Sequence, residues 1–148
     1  MYEISSALIP DKMSDERKDE IIESIKSYRA MDDPVLYVLA LLPGERFTSD
    51  TRKLHCGFYK LKKEYPDFFE DILFDTNGLF PYSEDIEQVF FRFGVSGVLG
   101  RLPPFYNAYE FTEKTKKAVL EHFSDKFSEQ EKEILKEMGK KLENMLFN

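Results

Sequence analysis

The chain has 148 residues, which is long enough for one domain with a sizeable core, so its fold needs no disulfide or metal ion to hold it together. Its single cysteine, Cys56, excludes an intramolecular disulfide and a cysteine-based zinc site. The net charge of −7 opposes non-specific binding to phosphate backbones. A local basic patch can still act on DNA within a Debye length of about 10 Å.

Membrane and secretion signals are not evident in the sequence. The longest apolar run, VLYVLALL, has eight residues, whereas a membrane span needs about twenty. The first twenty residues lack the basic region and apolar run of a signal peptide. We therefore expect a soluble, cytoplasmic protein that does not contact a membrane.

Residues 1–32 predict an N-terminal helical arm. Ser14 is suited to cap a helix, and the acidic residues after it complement the positive end of the helix dipole. Ile21, Ile25 and Tyr28 recur at helical spacing in an otherwise charged segment. One apolar stripe is therefore expected along the arm.

The next helix is predicted to start at Asp-Asp-Pro, with Asp33 as its cap and Pro34 in its first position. The run VLYVLALL that follows is apolar on nearly every side, which indicates a central, buried helix. Pro43 and Gly44 are predicted to end it.

A further helix is predicted to begin near Thr48 or Ser49, either of which can cap it, and to end at Pro66. Residues 72–74 then predict a strand, and the Asn-Gly pair at 77–78 favours a tight reversal after it. The buried face of the helix is predicted from apolar residues that share one side: Leu54, Phe58, Leu61 and Tyr65.

The segment LFPYSEDIEQVFFRFG predicts another helix, which Ser83 caps and which has Glu84 and Asp85 in its first turn. The glycines of the following GVSGVLG allow a tight turn from helix to strand. That segment lacks the Lys-Ser/Thr ending of a phosphate-binding loop. The buried stripe of the helix is predicted to contain Ile86, Val89, Phe90 and Phe93.

Two β-prone pieces, at 98–99 and 108–111, flank an irregular tip, LPPFYN, and predict a β-hairpin. Thr112 is predicted to cap a helix that ends near Phe123. The sequence Ser-Glu-Gln-Glu from Ser128 is a capping box that opens a last helix. The apolar stripe of this last helix contains Ile134, Leu135, Met138, Leu142, Met145 and Leu146.

The predicted fold class is mainly α with a small β-hairpin. A hairpin that follows a group of helices is the layout of a winged-helix core. We therefore predict a single domain over residues 1–148 with three parts. These are an N-terminal helical arm (1–32), a winged-helix-like core (33–112) and C-terminal helices (113–148).

Three segments carry a family resemblance: VLYVLALLPGERFTSDTRKLHCGFYKLKKEY, LFPYSEDIEQVFFRFGVSGVLGR and YEFTEKTKK. They resemble the winged-helix-like Panacea domain and the related YwgA-like small prokaryotic proteins, over more than half of the chain. The chain departs from the pattern at Phe80 and Thr115, where the family usually has glycine. The resemblance implies a regulatory or interaction role, including antitoxin-like neutralisation of a partner. No active site can be carried over from it, since the members share no single established chemistry.

The helix at 83–93 stands where a recognition helix would lie, but acidic residues at its start would meet the phosphates. The lysines at the start of the later helix, Lys114, Lys116 and Lys117, are expected to form a solvated face. The candidate residues for nucleic-acid or partner contact are Arg52, Lys53, Lys60, Lys63, Gln88, Arg92, Arg101, Phe105 and Tyr106.

No catalytic constellation is visible in the sequence. His55 and Cys56 are neighbours on a predicted helix, where adjacent side chains point about 100° apart, so they do not form a nucleophile pair. Cys56 is expected in the core or at its boundary, and His122 is expected to be partly exposed. No metal-ligand spacing such as H-E-x-x-H occurs. We therefore predict a protein that is not an enzyme, with no cofactor, no metal and no evident small-molecule substrate.

Two features favour a protein partner over nucleic acid. The aromatic residues of the hairpin tip, Phe105 and Tyr106, are typical of interfaces. The apolar stripe of the last helix packs either on the chain's own core or on a second copy, and both alternatives stay open. We therefore predict a non-enzymatic regulatory or protein-interaction module that binds a protein partner or forms a homodimer. The alternative is a DNA-binding, antitoxin-like transcriptional regulator.

Overall fold

The computed structural model describes residues 30–104 and 106–147, so the predicted N-terminal helix at 14–30 lies almost entirely outside the described residues. The described part is mainly helical with a small antiparallel sheet, which confirms the predicted fold class. None of its helices is both long and apolar enough to cross a bilayer. The helices are α1 (Asp32–Ala40), α2 (Thr51–Glu64), α3 (Glu84–Ser96), α4 (Glu113–His122) and α5 (Glu129–Phe147).

The sheet has three strands: β1 (Arg46–Thr48), β2 (Gly100–Arg101) and β3 (Ala108–Glu110). Both β1 and β2 pair antiparallel with β3, which gives the order β1-β3-β2. The predicted hairpin is therefore present as β2 and β3. Strand β1 was not predicted, because three residues between a helix stop and a helix cap are too few to show alternation.

The first hairpin strand lies two residues later than predicted. Val98 and Leu99 do not belong to it, because they complete the turn that leaves α3. Leu99 is buried, and its amide donates to the carbonyl of Phe93 at 3.2 Å. Gly97 makes this turn possible with a left-handed backbone (φ +82°), as the glycine-rich sequence predicted.

Helix α1 is the central, buried helix that its apolar run predicted: Val35, Val38 and Leu39 have no exposed surface. The predicted start was wrong by a few residues. Asp33 lies inside the helix rather than capping it, and its carboxylate accepts the backbone N–H of Ala30 at 3.0 Å. Burial raises the pKa of this carboxyl above its ordinary value, and the hydrogen bond from Ala30 partly opposes that shift.

The predicted cap of α2 was also wrong. Asp50, rather than Thr48 or Ser49, caps the helix by accepting the backbone N–H groups of Arg52 (2.9 Å) and Lys53 (3.4 Å). The two predicted residues have other partners, because the preceding strand holds them. The Thr48 hydroxyl accepts from the amide of Asp50, and the Ser49 hydroxyl donates across to the hairpin.

Residues 72–74 do not form the predicted strand. Their backbone groups bind side chains of neighbouring helices: the Leu73 amide donates to the Asp85 carboxylate at 2.9 Å, and the Lys62 ammonium donates to the carbonyl of Ile72. The reversal at Asn-Gly does occur. It is closed by one isolated antiparallel bridge, with hydrogen bonds of 2.7 and 3.0 Å between Asp75 and Tyr82.

The other predicted helix starts are confirmed. Ser83 caps α3 and Thr112 caps α4, each through a side-chain oxygen 3.2 Å from a backbone N–H. Ser128 and Glu131 exchange the two hydrogen bonds of a capping box at 2.9 and 3.1 Å. The buried side chains of α3 are the predicted ones: Ile86, Val89, Phe90 and Phe93.

Helix α5 packs on α1 and α2, so its apolar stripe belongs to the chain's own core. Leu135, Met138 and Leu142 have no exposed surface. The two helices are close at Gly57: a Cβ atom at that position would lie 2.9 Å from Cδ1 of Leu142, so any larger residue there would require the Leu142 side chain to shift. The stripe is thus not free for a second copy, and a homodimer would have to use other surfaces.

Candidate functional site

His55 connects α2 to the start of α3 at the centre of the candidate site. It lies on α2 with 2% of its surface exposed. Its Nδ1 accepts the backbone N–H of Ser83 at 3.0 Å, and its Nε2 lies 3.0 Å from Oε1 of Glu87. The ring stacks on Tyr82 with centroids 4.8 Å apart. A backbone amide can only donate to Nδ1, so the proton of the neutral ring is on Nε2. This N–H donates a hydrogen bond to the Glu87 carboxylate.

Burial lowers the pKa of His55 below its ordinary value of 6.5, and the nearby Glu87 carboxylate partly opposes this shift. Protonation would also place an N–H on Nδ1 opposite the N–H of Ser83, so the folded chain favours the neutral ring. His55 therefore makes this junction sensitive to acid.

We expect the free energy of unfolding to fall as the pH is lowered from 7.5 to 5.5. The unfolded chain takes up a proton at His55 near pH 6.5, whereas the folded chain takes it up only at lower pH. The contribution of the neutral His55 to the free energy of unfolding is therefore fully present above pH 6.5 and is lost as the pH falls below it. Urea unfolding at several pH values measures the effect. For one titrating group, the free energy of unfolding changes by at most roughly 1.4 kcal/mol per pH unit.

Two substitutions test the assignment of this pH dependence to His55. His55→Asn keeps an acceptor for the Ser83 amide but cannot be protonated, so it should flatten the slope. His122→Gln, at the exposed histidine, is the matched control for replacing a histidine by an amide, and it should keep a steeper slope than His55→Asn. An unchanged slope in His55→Asn would contradict the assignment.

The β2–β3 hairpin forms the side of the site opposite the junction of α2 and α3. The Arg101 side chain donates from Nη2 to the carbonyl of Tyr106 at 2.9 Å and to the hydroxyl of Ser49 at 3.3 Å. Its guanidinium group lies over the ring of Tyr109, 5.5 Å from the centroid. Burial raises the pKa of the Tyr109 hydroxyl, and the positive charge of Arg101 partly opposes this. Arg101 is thus held against the sheet as part of a fixed wall.

A groove runs between α3 and the hairpin. Its outer part is open to solvent and has a volume of about 380 Å³. Its inner part is a smaller pocket of about 100 Å³ that reaches His55. Glu87, Phe90, Arg101 and Tyr109 line both parts. The outer edge carries two apolar residues, Phe91 and Val95, which are 67% and 73% exposed.

The outward residues of α3 do not favour DNA reading. Arg92 donates two hydrogen bonds, at 2.8 and 2.7 Å, to the carboxylate of Asp32, and this contact raises the pKa of the guanidinium. It is therefore engaged within the chain rather than directed at bases. Of the predicted base-reading residues on this helix, Gln88 alone is both exposed and unpaired within the described part of the chain. Glu84 and Glu87 leave the start of the helix negative.

Four of the predicted contact residues lie on one outward face of α2, and all four are exposed. None of them forms an ion pair with a carboxylate among the described residues. They lie within an arc of roughly 100° by helical periodicity. We call this surface the basic face; it consists of Arg52, Lys53, Lys60 and Lys63.

The remaining predicted residues are spread over other surfaces. Tyr106, at the hairpin tip, is 51% exposed, and Phe105 lies outside the described residues. Lys116 does not belong to the expected solvated face. It is buried, and its ammonium donates to the carbonyls of Leu42 (2.6 Å) and Gly44. Lys114 and Lys117 are exposed as expected.

Cys56 forms no hydrogen bond with His55 or His122 in the part of the chain that the structure describes. Cys56 is half-buried at the core boundary and His122 is exposed, as predicted. Across residues 30–104 and 106–147, no three histidine, cysteine or acidic side chains group in a way that could hold a metal ion.

The contacts of His55 with Ser83 and Glu87 were not predicted from the sequence, which raised this histidine only as a neighbour of Cys56. The signal was its position beside the apolar stripe of α2, three residues before Phe58, which favours burial. A buried histidine needs hydrogen-bond partners, but the sequence did not identify them.

No family model, curated protein or solved structure matches this chain.

Proposed function

We propose that this protein is a non-enzymatic protein-interaction module that binds a segment of a partner protein in the groove between α3 and the β2–β3 hairpin. One observation carries the proposal. Phe91 and Val95, one helical turn apart, are largely exposed at the edge of the 380 Å³ groove. Adjacent exposed apolar residues beside a concave surface mark interaction sites.

The charges beside the groove suggest the chemistry of the partner segment. The outward stripe of α3 is acidic at its start, with Glu84 and Glu87, and apolar at its end, with Phe91 and Val95. A complementary segment carries apolar side chains followed by lysine or arginine, because opposite charges across an interface select the partner and its register. An amphipathic helix satisfies both requirements on one face.

Selection from a random peptide library displayed on phage tests this proposal. The wild-type protein should enrich peptides that combine apolar and basic residues, and the double variant Phe91→Ser/Val95→Ser should lose them. A loss of tenfold or more in affinity is expected, roughly the effect of removing central interface residues.

A matched control distinguishes binding in the groove from non-specific binding to exposed apolar residues. Leu79 is 93% exposed but does not line the groove, so Leu79→Ser should retain the selected peptides. Equal loss in both variants, or enrichment of peptides that the groove variant still binds, would overturn the proposal. Self-association that Phe91→Ser/Val95→Ser abolishes would identify a second copy as the partner in place of another protein.

A winged-helix-like arrangement is part of the proposal. The order of α1, β1, α2, α3 and the β2–β3 hairpin, with β1 on the far side of β3, supports it. In that arrangement α3 takes the position of the recognition helix and the hairpin that of the wing. The regulatory, antitoxin-like role implied by the family resemblance is compatible with partner binding at this position.

DNA binding is the second candidate function, and the basic face favours it. Its four cationic side chains are exposed and form no ion pair with a carboxylate among the described residues, so they are suited to contact phosphates. The acidic start of α3 opposes the usual docking mode, so DNA would have to bind along α2. Affinity for a DNA duplex that falls steeply with salt, and falls further in Lys53→Gln/Lys60→Gln, would support this candidate over the first.

A further inference from the structure

The inner pocket of the groove is a second candidate site, distinct from the exposed apolar edge. It has a volume of about 100 Å³ and lies between the start of α2, helix α3 and the hairpin. Glu87 lines it from α3, and Arg101 lines it from β2. Tyr109 and Phe90 supply aromatic walls, and the buried His55 lies at its base. Two opposite charges thus line one small, partly enclosed space.

These two charges are fixed but do not neutralise each other. No ion pair joins Glu87 to Arg101, although both line the pocket. Oε1 of Glu87 accepts a hydrogen bond from Nε2 of His55, and Oε2 has no hydrogen-bond partner among the described residues. Nη2 of Arg101 is held by Tyr106 and Ser49, while its other nitrogens donate to no described acceptor. Each charged group is therefore held by the chain at one atom and keeps free hydrogen-bonding capacity at its other atoms; both side chains are exposed, Glu87 by 46%.

We propose that this pocket binds a small zwitterion, an α-amino acid of the size of glycine or alanine. The ammonium group of the ligand donates to Oε2 of Glu87, and its carboxylate accepts from the guanidinium group of Arg101. The size limit follows from the volume, which is below the roughly 150 Å³ of a cavity that holds benzene. A larger side chain fits only where the pocket opens toward the outer groove.

The two opposite charges disfavour ligands that carry only one charge. A lone anion that binds Arg101 also lies close to the Glu87 carboxylate, and a lone cation that binds Glu87 lies close to the Arg101 guanidinium. Only a ligand with both charges satisfies both residues at once, and the hydrogen bonds that it forms with them are charge-assisted. The proposal does not depend on partner binding at Phe91 and Val95.

Isothermal titration calorimetry with glycine and L-alanine as probes tests the proposal. Both should bind saturably, whereas acetate and methylammonium, which each carry one of the two charges, should not. Glu87→Gln keeps an oxygen that accepts from His55 but removes the charge, and Arg101→Gln removes the guanidinium. Each substitution should weaken binding by roughly tenfold or more.

Matched controls are Glu84→Gln, on the same helix, and Arg52→Gln, on the basic face, neither of which lines the pocket. Both should bind glycine like the wild type. Amide chemical-shift changes in the wild-type protein provide a second measurement that needs no variant, and glycine should shift residues around Glu87 and Arg101. No saturable binding of either amino acid, equal binding of acetate or methylammonium, or shifts confined to other surfaces would overturn the proposal.

Discussion

We expect Phe90→Ala to lower the free energy of unfolding by about 3–5 kcal/mol and Phe91→Ala to change it by no more than about 0.5 kcal/mol. Phe90 is buried, and its ring lies 5.4 Å from that of Tyr109, 5.9 Å from Phe93 and 6.3 Å from Phe58. Phe91 is mostly exposed. Removing the Phe90 ring leaves a cavity where α2, α3 and the sheet meet.

Urea unfolding of the two variants measures this difference, because adjacent substitutions of the same residue type share composition and helix propensity. The same pair also separates stability from binding: Phe91→Ala should weaken the peptides selected on the groove while leaving the fold intact. Similar stability losses in both variants would mean that Phe91 packs against the chain and is not free for a partner.

The difference between Phe90 and Phe91 was predictable from the sequence, because it depends on helical periodicity. Ile86, Val89, Phe90 and Phe93 fall on one side of a helix, and the structure buries them. Most caps were predictable for a similar reason: Ser83 and Thr112 lie directly before amphipathic segments and bond groups three residues away. These signals are local, but they do not always identify the capping residue: Asp33 and the pair Thr48 and Ser49 were predicted as caps and are not.

Features that depend on distant contacts were not predictable. Residues 72–74 have strand-forming side chains, but the ammonium of Lys62 and the carboxylate of Asp85 occupy their backbone groups. Asp32 is 60 residues from Arg92, and nothing in the sequence pairs them. The same holds for the candidate site, in which the pairing of His55 with Ser83 and Glu87 spans about thirty residues.

Lys116 is a further case, because its neighbours Lys114 and Lys117 are exposed and the local sequence does not distinguish it. Its ammonium lies over the ring of Phe111, 6.0 Å from the ring centroid. The ammonium donates to the carbonyls of Leu42 and Gly44 in the turn after α1. It therefore joins α4 to the negative end of the central helix, where a cation is favoured.

We expect Lys116→Met to lower the free energy of unfolding by about 2–3 kcal/mol. Methionine fills a similar volume but removes the donor to the carbonyls of Leu42 and Gly44. Leu42 is buried, and an unpaired buried polar group costs about 1–3 kcal/mol, whereas Gly44 is exposed and its carbonyl can bind water. The opposing effect is relief from burying a charge, which makes some hydrophobic replacements of buried ions neutral or stabilising. The loss should dominate here because the carbonyls stay in place when the ammonium is removed.

Chemical unfolding of Lys116→Met and of the control Lys117→Met measures the balance. Lys117 is exposed on the same helix, so its substitution should change stability by no more than about 0.5 kcal/mol. Lys116→Arg provides a further distinction, since it keeps the charge and several donors in a larger group and should be less destabilising than methionine if the carbonyl contacts matter most. If Lys116→Met is as stable as the wild type, the free-energy cost of desolvating the ammonium equals the stabilisation from its hydrogen bonds. In that case α4 is held to α1 by apolar packing alone.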